Sequence, residues 1–350
     1  MPDSRLFWSV ILLLTAYSCR MSYYRYSVWF VKGLQEYTKS GYESAAKRFV
    51  ADDLSANCAG KVFMVTGANS GIGKETARLI VHKGGQVHMV CRNESSALAA
   101  REEILSGLQN HESAKDLVVV HILDLSQPKN VAKFARDFRN QEGQRLNVLI
   151  NNAGCMVNTR EIVEPDLEKN FATNVLGTFL LTVELLPLLQ QWSDSRVVTV
   201  SSGGMLLQKL NLADLQSDKM TPFDGAMVYA QNKRQQVILM EVLAQKYPDV
   251  HFFSCHPGWA DTPAVRLSMP AFYEKMKNRL RSAQQGADTV AWLAVAEAAC
   301  QLPNGAFVQD RQSVSKHLPL AWTRESEQDR QQLFDTLQKM CKDICGSELT

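Results

Sequence analysis

The stretch Lys61-Val-Phe-Met-Val-Thr-Gly67-Ala-Asn-Ser-Gly71-Ile-Gly73 decides the fold of this chain. Residues 61–66 are apolar and rich in β-formers, and beyond Gly73 the residues Ala77, Leu79, Ile80 and Val81 follow a helical spacing. Strand, glycine turn and helix, in that order, make the context of a dinucleotide-binding turn. Glycines let the backbone approach a pyrophosphate, and the free N–H groups of the helix start face its negative charge. The alternative is an ordinary strand-to-helix turn, against which stand three glycines within seven residues. The spacing is G-x-x-x-G-x-G rather than the commoner G-x-G-x-x-G. Gly67, Asn69, Ser70, Gly71, Ile72 and Gly73 are thus the first candidate cofactor-binding residues.

Outward from this turn, a second strand, Gln86–Cys91, ends at Arg92. An acidic side chain there would accept hydrogen bonds from the ribose 2′-hydroxyl of NAD. Arg92 offers a cation to a 2′-phosphate instead, favouring NADP(H) over NAD(H). A merely solvated arginine is the plainer alternative. Far downstream, Val228-Tyr-Ala-Gln-Asn-Lys233 sets Tyr229 four residues before Lys233, on one helical face. A phenol titrates near ~10 alone, and a fixed cation beside it favours the phenolate, so Tyr229 can exchange a proton near neutrality. Such a pair usually makes only a half-exposed surface contact. The glycine turn upstream makes it a catalytic candidate.

From about Lys61 to about Arg311 the chain resembles the short-chain dehydrogenase/reductase family. Thr66-Gly67-x-x-x-Gly71-x-Gly73 looks like that family's cofactor turn. Asp124, after strand Leu117–Ile122, falls where the family has an Asp near the adenine. Asn152, Ala153 and Gly154, in Asn151-Asn-Ala-Gly154 after strand Asn147–Ile150, look like its fourth-strand signature. Asn174, Ser202 at the end of Val197–Ser202, Tyr229 and Lys233 match its catalytic set. Pro257, Gly258 and Thr262, behind His256, resemble the segment that closes over the nicotinamide. Two departures stand out. Asn232 occupies a position where many members have Ser, and the separation from Ser202 to Tyr229 is about double the commoner one. An inserted loop, shared by retinol-dehydrogenase-like members, explains the second.

The resemblance implies a single doubly wound α/β fold, a Rossmann-type parallel sheet with helices on both faces. It also implies hydride transfer between a nicotinamide cofactor and an alcohol/carbonyl substrate. Ser202 would donate to the substrate oxygen and Tyr229 would deliver the proton. Lys233 would lower the Tyr229 pKa and bond the nicotinamide ribose, and Asn174 would hold a water linking Lys233 to solvent. Taken singly, Asn174 could cap or kink its helix, and Ser202 could satisfy a strand-end backbone group.

The βα alternation runs from Lys61 to Gln309, which argues for one doubly wound domain at 61–311 with flanking additions. Of 350 residues, 45% are hydrophobic and 21% charged, enough for a substantial core. A net charge of +2 gives no reason to expect nucleic acid as a partner. The eight cysteines lack zinc-site spacing, so no metal is expected, and their placement reads as a reducing compartment. Residues 1–20 carry the apolar run Leu6–Tyr17, short for a membrane span. Residues 21–60 are a helical extension that begins aromatic and basic, with Tyr23, Tyr24, Arg25, Tyr26, Trp29, Phe30 and Lys32. Together they suggest a cytoplasmic enzyme touching a membrane surface through residues 1–35, or a helix packed on its own domain. Residues 312–350 include an amphipathic helix with Leu333, Leu337, Met340 and Ile344 on one stripe, packing back or against another subunit in a homo-oligomer.

The substrate pocket is expected from two segments. One is the loop 203–227 with Met205, Leu206, Leu207 and Phe223; the other carries Trp259, Met269, Phe272, Tyr273 and Met276. Such surface suits a lipophilic alcohol or carbonyl, with Ser202 and Trp259 as substrate contacts. Filling core space beneath the loops is the alternative. Two other functions use the same motifs: a non-catalytic dinucleotide-binding sensor or scaffold, and a sugar-nucleotide epimerase. The intact set Asn174, Ser202, Tyr229 and Lys233 weighs against the first. The roughly forty residues after Arg311 are too few for the substrate domain the second needs.

Overall fold

The computed structural model describes residues 22–108 and 114–346, so the anchor expected at 1–20 lies outside the described residues. The strands are β1 (Val62–Thr66), β2 (Gln86–Cys91), β3 (Val118–Ile122), β4 (Val148–Asn151), β5 (Ile162–Val163), β6 (Leu167–Glu168), β7 (Arg196–Val200), β8 (His251–His256), β9 (Ala306–Gln309) and β10 (Gln312–Ser313). Eight of them form one sheet in the order β10-β9-β8-β7-β4-β1-β2-β3, and β5 and β6 pair apart from it. Every pairing from β3 to β9 is parallel, and only β10 runs antiparallel on β9. The doubly wound sheet is therefore present, with a two-residue antiparallel edge added.

A parallel sheet covered on both faces needs strands apolar on both sides. β1 and β7 meet this with every residue buried. On one face lie the helices Pro128–Arg139, Thr178–Leu189, Gly225–Lys246 and Glu327–Cys345. On the other lie Gly71–His82, Glu94–Leu105 and Ala283–Val295. The stretch Lys169–Leu189 is apolar and long enough to cross a membrane, yet 89% of its apolar window is buried inside the fold, so it is a core helix. Its one carboxylate, Glu184, is 1% exposed and is held by Arg136 at 2.6 Å and Arg139 at 3.6 Å. A buried charge without such partners would be costly.

Both extensions dock on this core. Residues 22–32 are helical and continue through a π-turn, Gly33–Tyr37, into the helix Lys39–Ala46. Tyr24 Oη donates to the Pro319 carbonyl at 3.0 Å and Arg25 Nε to that of Ala321 at 2.8 Å. The C-terminal helix starts with a capping box, Ser326 and Asp329, and buries Leu333, Phe334, Leu337 and Cys341. Met340 and Ile344 are only partly buried, because the inner stripe runs through Phe334 and Cys341. It packs back on its own domain.

The strand order reverses between β1 and β4, whose carboxyl ends therefore open a crevice. The glycine turn, Asn152–Gly154, Ser202 and Pro257 follow β1, β4, β7 and β8 respectively, all at that edge of the sheet.

Candidate active site

Gly67 and Gly71 adopt positive φ, +65° and +53°, which only glycine enters without strain. A Cβ on Gly73 would fall 2.4 Å from both Asn152 Nδ2 and the Gly67 carbonyl, so the turn closes only without a side chain there. Thr66 Oγ1 accepts the N–H groups of Asn152 at 3.0 Å and Ala153 at 2.9 Å. Asn152 Nδ2 donates to the carbonyls of Thr66 at 2.8 Å and Gly67 at 3.2 Å. The Asn152 amide thus braces the turn from β4. Ser70 stands at the N-cap of Gly71–His82, but its side chain makes no capping bond, so the N–H groups of the first turn face the crevice. Asn69 Nδ2 donates to Ser96 Oγ at 3.1 Å, and Ile72 is half-buried. Arg92 is exposed just past β2, and Asp124 accepts the Ser126 N–H at 2.9 Å. A narrow glycine cradle against an uncapped helix start fits a dinucleotide pyrophosphate.

Asn174, Lys233 and Tyr229 gather beside this cradle, and Ser202 stands just past the end of the neighbouring β7. A Cβ on Gly154 would meet Asn174 Oδ1 at 3.2 Å and Lys233 Nζ at 3.4 Å, so these two side chains flank Gly154. Lys233 Nζ lies over the Tyr229 ring, 5.4 Å from its centroid. Ser202 Oγ accepts the Gly204 N–H at 3.1 Å, and Ser201 Oγ ties the end of β7 to the Lys233 carbonyl at 3.0 Å. Asn174 sits in a π-turn, Ala172–Gly177, that widens the helix at this point. Its Oδ1 accepts the Cys155 N–H at 2.8 Å, while its Nδ2 donates to the Cys155 carbonyl at 2.8 Å and to Asn232 Oδ1 at 3.1 Å. The family departure at Asn232 is thereby absorbed as a direct partner of Asn174.

Electrostatics correct one expectation. Burial first, and then the neighbouring Cys155, push the Tyr229 phenol up, not down. Lys233 faces the ring rather than offering a dedicated bond to the hydroxyl, and its Nζ donates to the Val200 carbonyl at 2.8 Å and Gln236 Oε1 at 3.0 Å. Burial lowers Lys233 to about 8, against the opposing pull of Cys155 and Cys255. Gln236, whose Nε2 donates to the Asn174 carbonyl, links Lys233 to Asn174. Sequence reasoning missed Gln236; its place three residues after Lys233 on the same helix was the available signal.

The closing segment is built differently from expectation. Gly258 has φ +78°, and a Cβ there would fall 2.2 Å from Arg281 Nε. Thr262 caps Pro263–Ser268 and lies 3.2 Å from the Cβ position of Gly71, so the segment reaches the cofactor turn. Trp259, expected to line a pocket, is 8% exposed, wedged against Trp29, Tyr37 and Phe272. A Cβ on Gly33 would fall 2.3 Å from its indole. Met205 and Leu206 are likewise buried, in a cluster with Val237, Phe307 and Leu318, and Met276 packs with Trp259. These residues fill core space, the alternative weighed for them. The N-terminal extension supplies the cover, which local patterning could not reveal.

The short chain dehydrogenase family model matches residues 61–213. Human dehydrogenase/reductase SDR family member 12 is 56% identical over 322 residues, covering 92% of this chain and 99% of that protein. The chain belongs to the short-chain dehydrogenase/reductase family. Bovine retinol dehydrogenase 12 is 36% identical over 242 residues, 68% of this chain and 74% of its own. Among solved structures, a Mycobacterium paratuberculosis protein superposes with TM-score 0.62 at 25% identity, covering 84% of this chain and 97% of that one. A Shigella flexneri short chain dehydrogenase complexed with NADP gives TM-score 0.56 at 22% identity over 73% of this chain and 99% of that one. As a short-chain dehydrogenase/reductase, the chain is an NAD(P)-dependent oxidoreductase.

Proposed function

We propose that this short-chain dehydrogenase/reductase prefers NADP(H) and interconverts a lipophilic alcohol and its carbonyl, with Tyr229 exchanging the proton. The observation that carries the reading is that Asn174 and Lys233 flank Gly154, with Lys233 Nζ over the Tyr229 ring, beside the glycine cradle. The bound nicotinamide supplies or accepts the hydride. Ser202 Oγ accepts from Gly204, which leaves its own O–H free for a substrate oxygen on which charge develops. The Tyr229 phenol, kept protonated by its burial, suits donation to that oxygen in the reductive direction. Lys233, Gln236 and Asn174 form a bonded chain that fixes the helix bearing Tyr229. Preference for NADP(H) rests on Arg92, and a lipophilic substrate is supported by the retinol dehydrogenases among the relatives.

Calorimetric titration with NADPH and NADH, followed by turnover of a panel of apolar aldehydes and ketones, tests this. Tyr229→Phe should bind NADPH as the wild type does while losing nearly all turnover. A parallel loss of cofactor binding would remove the proton-transfer role, and tight binding without turnover of any carbonyl would favour a cofactor sensor.

Membrane contact through residues 1–35 is part of the same proposal. Within the described residues it is supported by Tyr23 at 78% and Tyr26 at 55% exposure, beside a loop that holds Leu320 at 75% and Trp322 at 71%. Aromatic side chains of this kind suit a bilayer interface. Sedimentation of the full chain with phosphatidylcholine vesicles should weaken in Trp322→Ser and Leu320→Ser; unchanged binding would take this loop out of the contact.

A further inference from the structure

The N-terminal extension reaches the catalytic serine. Tyr37, fully buried at the end of the π-turn, packs edge-on against His256 with ring centroids 4.3 Å apart. Both rings touch Gly203: a Cβ there would fall 2.8 Å from His256 Nε2 and 3.0 Å from Tyr37 Cε2. His256 Nδ1 lies 2.9 Å from the Gly203 nitrogen and accepts its N–H. An imidazole nitrogen that accepts carries no proton, so the ring proton is on Nε2. Burial likewise holds the imidazole neutral, well below its usual range, with Arg281 and Lys32 adding to the effect.

Gly203 follows Ser202 directly, and the turn it opens supplies the Gly204 N–H that Ser202 Oγ accepts. The orientation of Ser202 is therefore set by a turn whose first N–H is held by His256 and whose Cα is pressed by Tyr37. Tyr37 is itself fixed. Its carbonyl accepts from the Trp259 N–H at 2.8 Å and from Arg281 Nε at 3.1 Å, and Arg281 is paired with Asp310 at 2.6 Å.

We infer that Tyr37 and His256 are positioning residues for Ser202, the tyrosine ring fixing the imidazole and the imidazole fixing the Ser202–Gly204 turn. The inference rests on the assignment of Ser202 to the substrate oxygen. It makes the extension a working part of the active site and gives His256 a role distinct from the Pro257-Gly258 closure beside it. Among the described residues the Tyr37 hydroxyl has no hydrogen-bond partner, so the ring, not the hydroxyl, carries the function.

The test uses the full chain with NADPH and two probes, all-trans-retinal and nonanal. Tyr37→Leu and His256→Leu should bind NADPH as the wild type does, while kcat falls by up to about 100-fold, the scale of a 1 Å misplacement in an active site. Hydrogen exchange should quicken at residues 203–207. Tyr37→Phe should keep wild-type kcat. His256→Asn, which retains an acceptor for the Gly203 N–H, should lose less than His256→Leu. Should a leucine variant fail to fold, Tyr37→Phe and His256→Asn still decide. A Tyr37→Phe or His256→Asn kcat as low as that of Ser202→Ala overturns the inference. So does a Tyr37→Leu enzyme with wild-type kcat, or one whose NADPH affinity falls as far as its kcat. Ser202→Ala separates the two levels. If it loses turnover while the Tyr37 and His256 variants do not, only the positioning role fails. If it turns over normally, or the wild type reduces neither probe, the underlying assignment fails and the inference with it.

Discussion

Arg281→Met should be among the most destabilising single substitutions in this protein. The Arg281 side chain is 1% exposed and that of Asp310 9%. Its guanidinium donates to Asp310 Oδ1 at 2.6 Å and Oδ2 at 3.0 Å, to the Glu36 carbonyl at 2.6 Å and to the Tyr37 carbonyl at 3.1 Å. Methionine fills much of the volume but leaves Asp310 as a buried carboxylate without its counter-ion and strips the Glu36 carbonyl of its guanidinium donor. Breaking a buried pair by removing one partner costs about 3–5 kcal/mol. With a urea m value of roughly 3 kcal/mol/M, the unfolding midpoint should fall by about 1–1.7 M. The decisive assay is a double-mutant cycle with Asp310→Leu. Because most of the penalty is the stranded charge, the double variant should lose far less than the two single losses combined, with a coupling energy above about 2 kcal/mol. Strictly additive losses, or a single-variant cost below about 1 kcal/mol, would refute the reasoning that this pair bolts the extension to the domain.

Two further outcomes follow from the site. Lys233 is lowered to about 8 by burial, so between that value and its unfolded value the unfolded chain binds more protons, and this group's contribution to stability rises with pH. The unfolding free energy of wild type relative to Lys233→Met should therefore improve by about 2 kcal/mol from pH 8 to pH 9.5, and a flat difference in urea titrations would show that the ammonium is not desolvated. Arg92→Asp should shift the ratio of NADPH to NADH affinity towards NADH, and an unchanged ratio would remove Arg92 from cofactor choice.

Much of the fold was legible because a strand buried on both faces leaves an uninterrupted apolar run. Val62–Thr66 read clearly for that reason, Gln86–Cys91 was bounded to the residue even though Gln86 and His88 break its run, and the glycine turn declared itself because Gly67 and Gly71 need left-handed backbone. β7 was expected to reach Ser202 but ends at Val200, where the chain turns into the short helix Gly203–Leu207. The four catalytic candidates were legible as a set, Ser202 just past a strand, Asn174 in one helix and Tyr229 with Lys233 in another. Their electrostatics were not, since the direction of the Tyr229 shift depends on burial and on Cys155, which lies far away in sequence. Trp259 and Met205 read as pocket walls because apolar patterning shows that a side chain seeks cover, not which element provides it. That element was the extension, and its contacts run through single residues such as Tyr37 and Arg281 that no local pattern marks.

The docking of that extension also carries a schedule. Tyr37 leaves the ribosome well before Arg281, which holds its carbonyl and lies 244 residues further on. At about 5–20 residues per second, synthesis leaves the segment unclasped for roughly 12–50 s. Through that interval the rings of Trp29, Phe30 and Tyr37 have no final resting place, and the nascent chain offers them to whatever greasy surface or chaperone is nearby. Assembly of this region therefore waits until Arg281 has been read from the message.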